Sequence, residues 1–169
     1  LSATQLREQA SRRAAAGMGY NECLTYSFID EKSAKLFGGG DLATQLENPI
    51  SSEMSHMRPD LLPGLLQAAS RNQARGFFNM ALFELGPVFT GGDPGYQQMN
   101  LSGILIGQTT SKDVHGQERE VDVFDVKSHM KIYYLQLEHQ LNFKFYVVHN
   151  PIGIRDGTDA FVLAQRQLL

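Results

Sequence analysis

Cysteine is nearly missing from this 169-residue chain: Cys23 is the only one. A single thiol excludes an internal disulfide and any zinc site built from clustered thiolates, and it fits a reducing, cytoplasmic setting. Long apolar runs are also lacking, and none approaches the roughly 20 residues of a membrane-crossing helix. Nor is there a surplus of one charge. Fifteen Lys and Arg stand against 18 Asp and Glu, a formal net charge of -3. That balance gives no whole-molecule pull toward nucleic acid and leaves any RNA contact to a local patch, yet no basic stripe with interleaved aromatics is present.

Motifs that carry chemistry on their own are absent too. The glycine runs at 38–40 and 91–95 match neither G-x-G-x-x-G nor G-x-x-x-x-G-K-[ST] and read as loops. His56, His115, His129, His139 and His149 never take a ligand spacing such as H-E-x-x-H, and no G-x-S-x-G turn is found. The chain opens on Leu1 without a signal peptide and stops at Gln167-Leu168-Leu169 within a segment patterned as ordered, which predicts an excised piece of a longer protein.

What is there reads as one domain over 1–169, of a size that buries about two thirds of its unfolded surface. TQLREQASRRAAA (4–16) is rich in helix formers, with Gly17 as terminator. In YNECLTYSFI, Leu24, Tyr26 and Phe28 alternate with Cys23, Thr25 and Ser27, which predicts a half-buried strand. EKSAKLFGGGD predicts a short helix running into a loop, and Thr44–Glu47 a short strand. Leu62, Leu65, Leu66 and Ala69 form one stripe of a helix over about 61–75, with Pro63 in its first turn and Gly76 at its end. NMALFELGPVFT, NLSGILIG, VDVFDVK, NFKFYVV and AFVLAQ predict strands, and 129–141 a helix. Without a regular βαβ repeat, the fold class is α+β with a mainly antiparallel sheet flanked by helices.

The site candidates cluster in NPISSEMSHMRPDLLPGLLQAASRNQARG (48–76). Arg71 and Arg75 lie four apart on one helix face, where like charges repel unless an anion sits between them or both reach into water. Arg58 precedes Pro59, which favours extended geometry; it either clamps an anion or pairs with Glu53 or Glu84. Glu84, alone on an apolar strand, needs a cationic partner or an interface. Asp122 and Asp125 fall on opposite faces of the strand expected there and do not work as a pair.

GYNECLTYSF, NPISSEMSHMRPDLLPGLL, RNQARG, LFELGPVF and EVDVFDVK together resemble, in order and spacing, the core domain of the bacterial phenylalanyl-tRNA synthetase beta subunit family. The resemblance covers residues 6–127 and thins over 128–169. There SHMKIYYLQLEHQ stands where a glycine and an acidic helix are expected, and HNPIGIRDGTDAFVLAQ matches only loosely. Ser128-His129-Met130 also has the form of a tag remnant, although a helix-then-strand order continues through it.

The resemblance implies a class II synthetase-like fold in a non-catalytic copy. It implies an alpha-subunit partner within an α2β2 assembly that charges tRNA, with ATP and magnesium used by the whole complex and no cofactor in this fragment. Class II chemistry needs an arginine on a motif-two strand and a second in a late glycine-rich motif. Arg58 stands near the first position, and no G-x-G-x-x-R occurs. No residue is therefore assigned a catalytic, cofactor or metal role. Asn48, Pro49, Glu53, Arg58, Pro63, Arg71, Asn72, Arg75 and Glu84 are expected to be structural or interface residues. The family's editing, anticodon-contacting and metal-linked segments are expected outside this stretch. The alternatives are a free-standing class II-like ligase or paralog binding a nucleotide or amino acid near Arg58, and a generic RNA-binding α+β domain.

Overall fold

The computed structural model describes residues 2–92, 94–109, 119–137, 142–148 and 161–165, with side chains for all of these except Pro94, 135–137 and 161–165. The first helix, α1 (Ala3–Gly17), begins in a reciprocal cap: the Gln5 N–H donates to Ser2 Oγ (3.2 Å) and the Ser2 N–H donates to Gln5 Oε1 (2.8 Å). Gly17 is its last residue. The chain then turns through Gly19, whose φ of 87° favours glycine, into β1 (Asn21–Glu22).

After β1 come β2 (Phe28–Ile29), α2 (Glu31–Leu36) capped by Asp30, and β3 (His56–Met57), which pairs antiparallel with β2. Thr44–Glu47 is not a strand. A single 3-10 turn, Leu42–Thr44, stands there, and only Gln45 bridges to His56. Next come α3 (Leu62–Gln73), β4 (Met80–Phe89), β5 (Gln97–Ile106), α4 (Val123–Leu137), β6 (Asn142–Val148) and β7 (Phe161–Gln165).

The main sheet runs β1-β4-β5-β6-β7. Pairings β4–β5 and β6–β7 are antiparallel, while β1–β4 and β5–β6 are parallel. The sheet is thus mixed rather than mainly antiparallel. The reason lies in 121–137: VDVFDVK is not a strand but leads into α4, which carries the chain back between β5 and its parallel neighbour β6. Its alternating valines suggest period 2, but Val126, Met130 and Tyr133 are buried at the 3.6-residue period and decide for a helix. The helix expected from 129 therefore begins six residues earlier. Ser128-His129-Met130 lies inside it, with Met130 in the core, so it is an integral part of the fold.

Strand alternation sorts the core onto two faces. Phe83, Leu85, Leu101, Leu105, Phe143, Phe145 and Val147 pack against Ala15 of α1 and Val126, Met130 and Tyr133 of α4. Leu82, Ile104, Ile106, Tyr146 and Val148 pack against Leu62, Leu65, Leu66 and Ala69 of α3, the predicted stripe. Each buried leucine of that stripe contributes about 1.5–3 kcal/mol. Asp60 holds the start of α3: its Oδ1 accepts from the Leu62 N–H (2.9 Å), and its Oδ2 accepts from Lys144 Nζ on β6 (2.7 Å).

Candidate functional site

Arg58 and Glu84 meet on the α3 side of the sheet. Each is 2% exposed. Arg58 Nη1 donates to Glu84 Oε1 (2.7 Å) and to Thr25 Oγ1 (3.0 Å), and its Nε donates to the Pro87 carbonyl (2.9 Å). Thr25 closes the group: its hydroxyl donates to Glu84 Oε2 (2.7 Å) and its N–H to Oε1 (3.3 Å). The Arg58 backbone is stitched on both sides, its N–H donating to the Ser27 carbonyl (2.9 Å) and its carbonyl accepting from the Phe89 N–H (3.0 Å). Pro59 favours the extended geometry this requires.

Two glycines make room for the cluster. A Cβ on Gly86 would lie 2.5 Å from Arg58 Nη2, and one on Gly64 would overlap the Thr25 hydroxyl. A buried ion pair of this kind is favourable only when further hydrogen bonds satisfy both partners, and Thr25 and Pro87 supply them. Chemically, the guanidinium is already neutralised and shielded from solvent. It offers no cationic surface to a phosphate or carboxylate.

Of Arg58's two expected partners, Glu84 is the one it takes. Glu53 is exposed on the 3-10 turn Ser52–Met54. Pro63 is buried in the first turn of α3, as expected. Asn72 is partly buried and holds the end of that helix: its Nδ2 donates to the Ala68 carbonyl (2.9 Å) and its own carbonyl accepts from the Phe77 N–H (3.1 Å). Arg71 and Arg75 are exposed, and neither enters an ion pair among the described residues. Asn48 and Pro49 are exposed in the loop before Ser52. The structure thus unites Arg58 with Glu84 and leaves the other arginines apart from them.

Segment 23–28 alternates in burial as expected, but the expected single strand is two short ones, Asn21–Glu22 and Phe28–Ile29, with 23–27 outside both. Leu24 is 86% exposed, Tyr26 73% and Phe28 38%, while Cys23, Thr25 and Ser27 face inward. The polar face turns in because Glu84 and Arg58 require the Thr25 hydroxyl. Cys23 sits beside this cluster; burial, then the Glu84 charge, push its thiol pKa up, with Arg71 opposing. A raised pKa disfavours the reactive thiolate.

A second polar group ties α4 to its surroundings. Asp122 Oδ1 accepts from the N–H groups of Phe124 (2.7 Å) and Asp125 (3.2 Å), while Asp125 Oδ2 accepts from the Asp122 N–H (2.9 Å). This reciprocal cap corrects the expectation that the two aspartates lie on opposite strand faces, because a helix start brings residues three apart together. Arg119 grips Asp125 with both guanidinium nitrogens (2.8 and 2.6 Å) and holds its carboxyl down at about 2. One turn on, His129 Nδ1 lies 3.0 Å from the Tyr20 hydroxyl; burial pushes the histidine pKa down, and the Asp125 charge opposes this. Among the described residues, no three His, Cys, Asp or Glu side chains converge in a group fit for a metal ion. His115, His139 and His149 lie outside the described residues.

Sequence reasoning missed Thr25, Asp60, Lys144 and Tyr20. Two signals pointed toward some of them: Gly64 and Gly86 interrupt apolar elements, which marks close approach, and Asp60 stands just before a predicted helix start.

Comparison with known proteins decides the family. The model of the phenylalanyl tRNA synthetase beta chain CLM domain matches residues 1–167. The chain belongs to this family. A phenylalanine-tRNA ligase beta subunit of Cereibacter sphaeroides is 63% identical over 128 residues, covering 76% of this chain and 16% of the relative. That of Ruegeria pomeroyi is 65% identical over 124 residues, covering 73% and 16%. The chain therefore spans about one sixth of the length of these curated beta subunits. Among solved structures, a pyrrolysyl tRNA synthetase from Desulfitobacterium hafniense aligns with a TM-score of 0.55 at 16% identity, over 82% of this chain and 48% of that one. At that identity the likeness concerns the fold alone: the chain shares an α+β arrangement of a sheet flanked by helices with that synthetase. No described helix is long and apolar enough to cross a membrane.

Proposed function

We propose that this chain is the non-catalytic core of a phenylalanine-tRNA ligase beta subunit, a scaffold that packs against the catalytic alpha subunit in an α2β2 complex charging tRNA. One observation carries the reading. Arg58, the arginine nearest the position where class II chemistry holds a carboxylate and phosphate, is 2% exposed and bound to Glu84, Thr25 and the Pro87 carbonyl. Adenylation develops negative charge that must be met by preorganised cations, and a guanidinium neutralised in the core does not meet it.

Among the described residues no three His, Cys, Asp or Glu side chains converge on a metal position, and the Arg58 guanidinium is already taken by Glu84. In this reading ATP and magnesium belong to sites elsewhere in the complex, and tRNA contacts the assembly as a whole. The chain's own residues act mechanically, with the Arg58 cluster locking segment 25–29 to β4 so that a fixed surface is offered outward. A free-standing ligase binding nucleotide near Arg58 would need the pair to open, and no feature of the geometry favours that.

ATP–pyrophosphate exchange with phenylalanine tests the reading. The chain alone is expected to stay at background. Exchange above background by the chain alone overturns the scaffold assignment.

A further inference from the structure

Tyr20 is the point where α1, the main sheet and α4 meet. Its N–H donates to the Ala15 carbonyl of α1 (3.2 Å), its ring packs edge-on against Phe145 of β6 with centroids 5.3 Å apart, and its hydroxyl lies 3.0 Å from His129 Nδ1 on α4. The tyrosine is 4% exposed. Burial, then the Asp125 charge, push its pKa up, so the phenol keeps its proton and donates it. His129 Nδ1 must then accept, which places the ring proton of the neutral histidine on Nε2.

This bond suits the neutral histidine alone. A second ring proton, on Nδ1, would face the phenol proton. The Tyr20 oxygen could accept from it only by turning its own O–H away, and that hydroxyl has no second partner among the described residues. Burial therefore turns against the charged ring, because a buried donor left without an acceptor is costly. The charges around His129 do not repair this. Asp125, one turn back on α4, favours the charged ring, but its carboxylate is already held by both Arg119 nitrogens (2.6 and 2.8 Å) and by the Asp122 N–H (2.9 Å). From α1, Arg13 lines the same cleft as His129 and opposes a second cation, while the sheet side offers only uncharged groups such as Asn21, Ala81 and Leu105.

The histidine also has room to leave. With Met18 it lines two neighbouring clefts, one of about 550 Å³ bordered by Ala10, Arg13 and Ile132 and one of about 520 Å³ bordered by Asn21, Ala81 and Leu105. We propose that His129 is a proton-operated latch: neutral, it ties α4 to Tyr20 and separates the two clefts; protonated, it releases Tyr20, turns into water and joins them into one groove. Burial holds the folded pKa below the ordinary 6.5, with the Asp125 charge opposing. The latch is therefore closed above pH 6.5 and opens as the pH falls below it. This inference does not rest on the scaffold reading.

Nuclear magnetic resonance of the whole chain, titrated from about pH 8 to about pH 5, tests it. At the upper end the ring nitrogen shifts of His129 should show the proton on Nε2, with a through-space signal between its ring and that of Tyr20. As the histidine protonates, that signal should vanish and the Met18 and Ile132 methyl signals should shift with the same midpoint, while the circular dichroism of the helices stays constant. Tyr20→Phe keeps the ring but removes the donor, so the His129 midpoint should rise by about half a pH unit or more. In His129→Gln the two methyl signals should no longer respond. The inference falls if the ring signal persists after protonation, if the neutral ring carries its proton on Nδ1, or if Tyr20→Phe leaves the midpoint in place. It falls equally if the methyl signals of His129→Gln shift as in wild type, or if the chain unfolds before His129 titrates.

Discussion

Arg58–Glu84 and Arg119–Asp125 are the same chemical pair in two settings. Both are charge-assisted contacts of similar length, 2.7 Å in the first and 2.6 and 2.8 Å in the second. The first is closed off from water and reinforced by Thr25 and the Pro87 carbonyl; the second lies on the surface at the start of α4. Geometry alone would rank the bidentate surface pair higher. Burial reverses the order, because removing one partner of a dry pair strands an ion, whereas water and salt replace a lost surface partner at little cost.

The comparison breaks most directly at Glu84. Glu84→Ala leaves the Arg58 cation in the core with only neutral acceptors and is expected to cost about 3–5 kcal/mol in urea unfolding. Arg58→Met combined with Glu84→Leu should recover part of that loss, since no ion is then stranded. A loss below about 1 kcal/mol for Glu84→Ala would mean that water reaches the pair and that the two clusters do not differ in kind.

His129 offers an intermediate case, half-buried between Tyr20 and the Asp125 charge. Its folded pKa lies below the ordinary 6.5, so the unfolded chain takes up the proton first as pH falls. Its contribution to stability is therefore complete above pH 6.5 and is lost as pH drops toward the folded value. Thermal unfolding of wild type and His129→Gln across this range should show a shallower pH slope in the variant. Identical slopes would remove His129 from the account.

Arg119→Ala is expected to have the smallest effect on melting temperature, and what effect there is should shrink in high salt. Its clearest sign lies in titration. With Arg119 gone, the Asp125 carboxyl should rise from about 2 toward its ordinary 3.8. The wild-type pair, present above pH 3.8, weakens as pH falls toward 2. An Asp125 that titrates unchanged in the variant would show that the helix cap, not the arginine, holds it down.

What could be read in advance follows the reach of each interaction along the chain. The α3 stripe, its proline and its terminal glycine are local, and they were legible. Glu84 was conspicuous because one carboxylate interrupts an apolar strand. Its partner was not, since Arg58 had Glu53 close in sequence and Glu84 26 residues away. Thr25 and Glu84 are 59 apart, Asp60 and Lys144 are 84 apart, and Tyr20 and His129 are 109 apart. The start of α4 was misread for a different reason: its valines alternate locally, while the burial that makes it a helix comes from α1 and the sheet.

By itself the sequence determined the element types with strong local period, the oddity of Glu84, and the ordered blocks that mark the synthetase beta-chain family, because these depend only on which residues stand where. The tertiary structure alone decided that Arg58 is consumed in the core and that Thr25, not Leu24, faces inward. It also brought Asp122 and Asp125 together to cap a helix. The physical reason is burial: whether a charge is a site or a strut depends on what excludes water from it, and residues distant in sequence do the excluding.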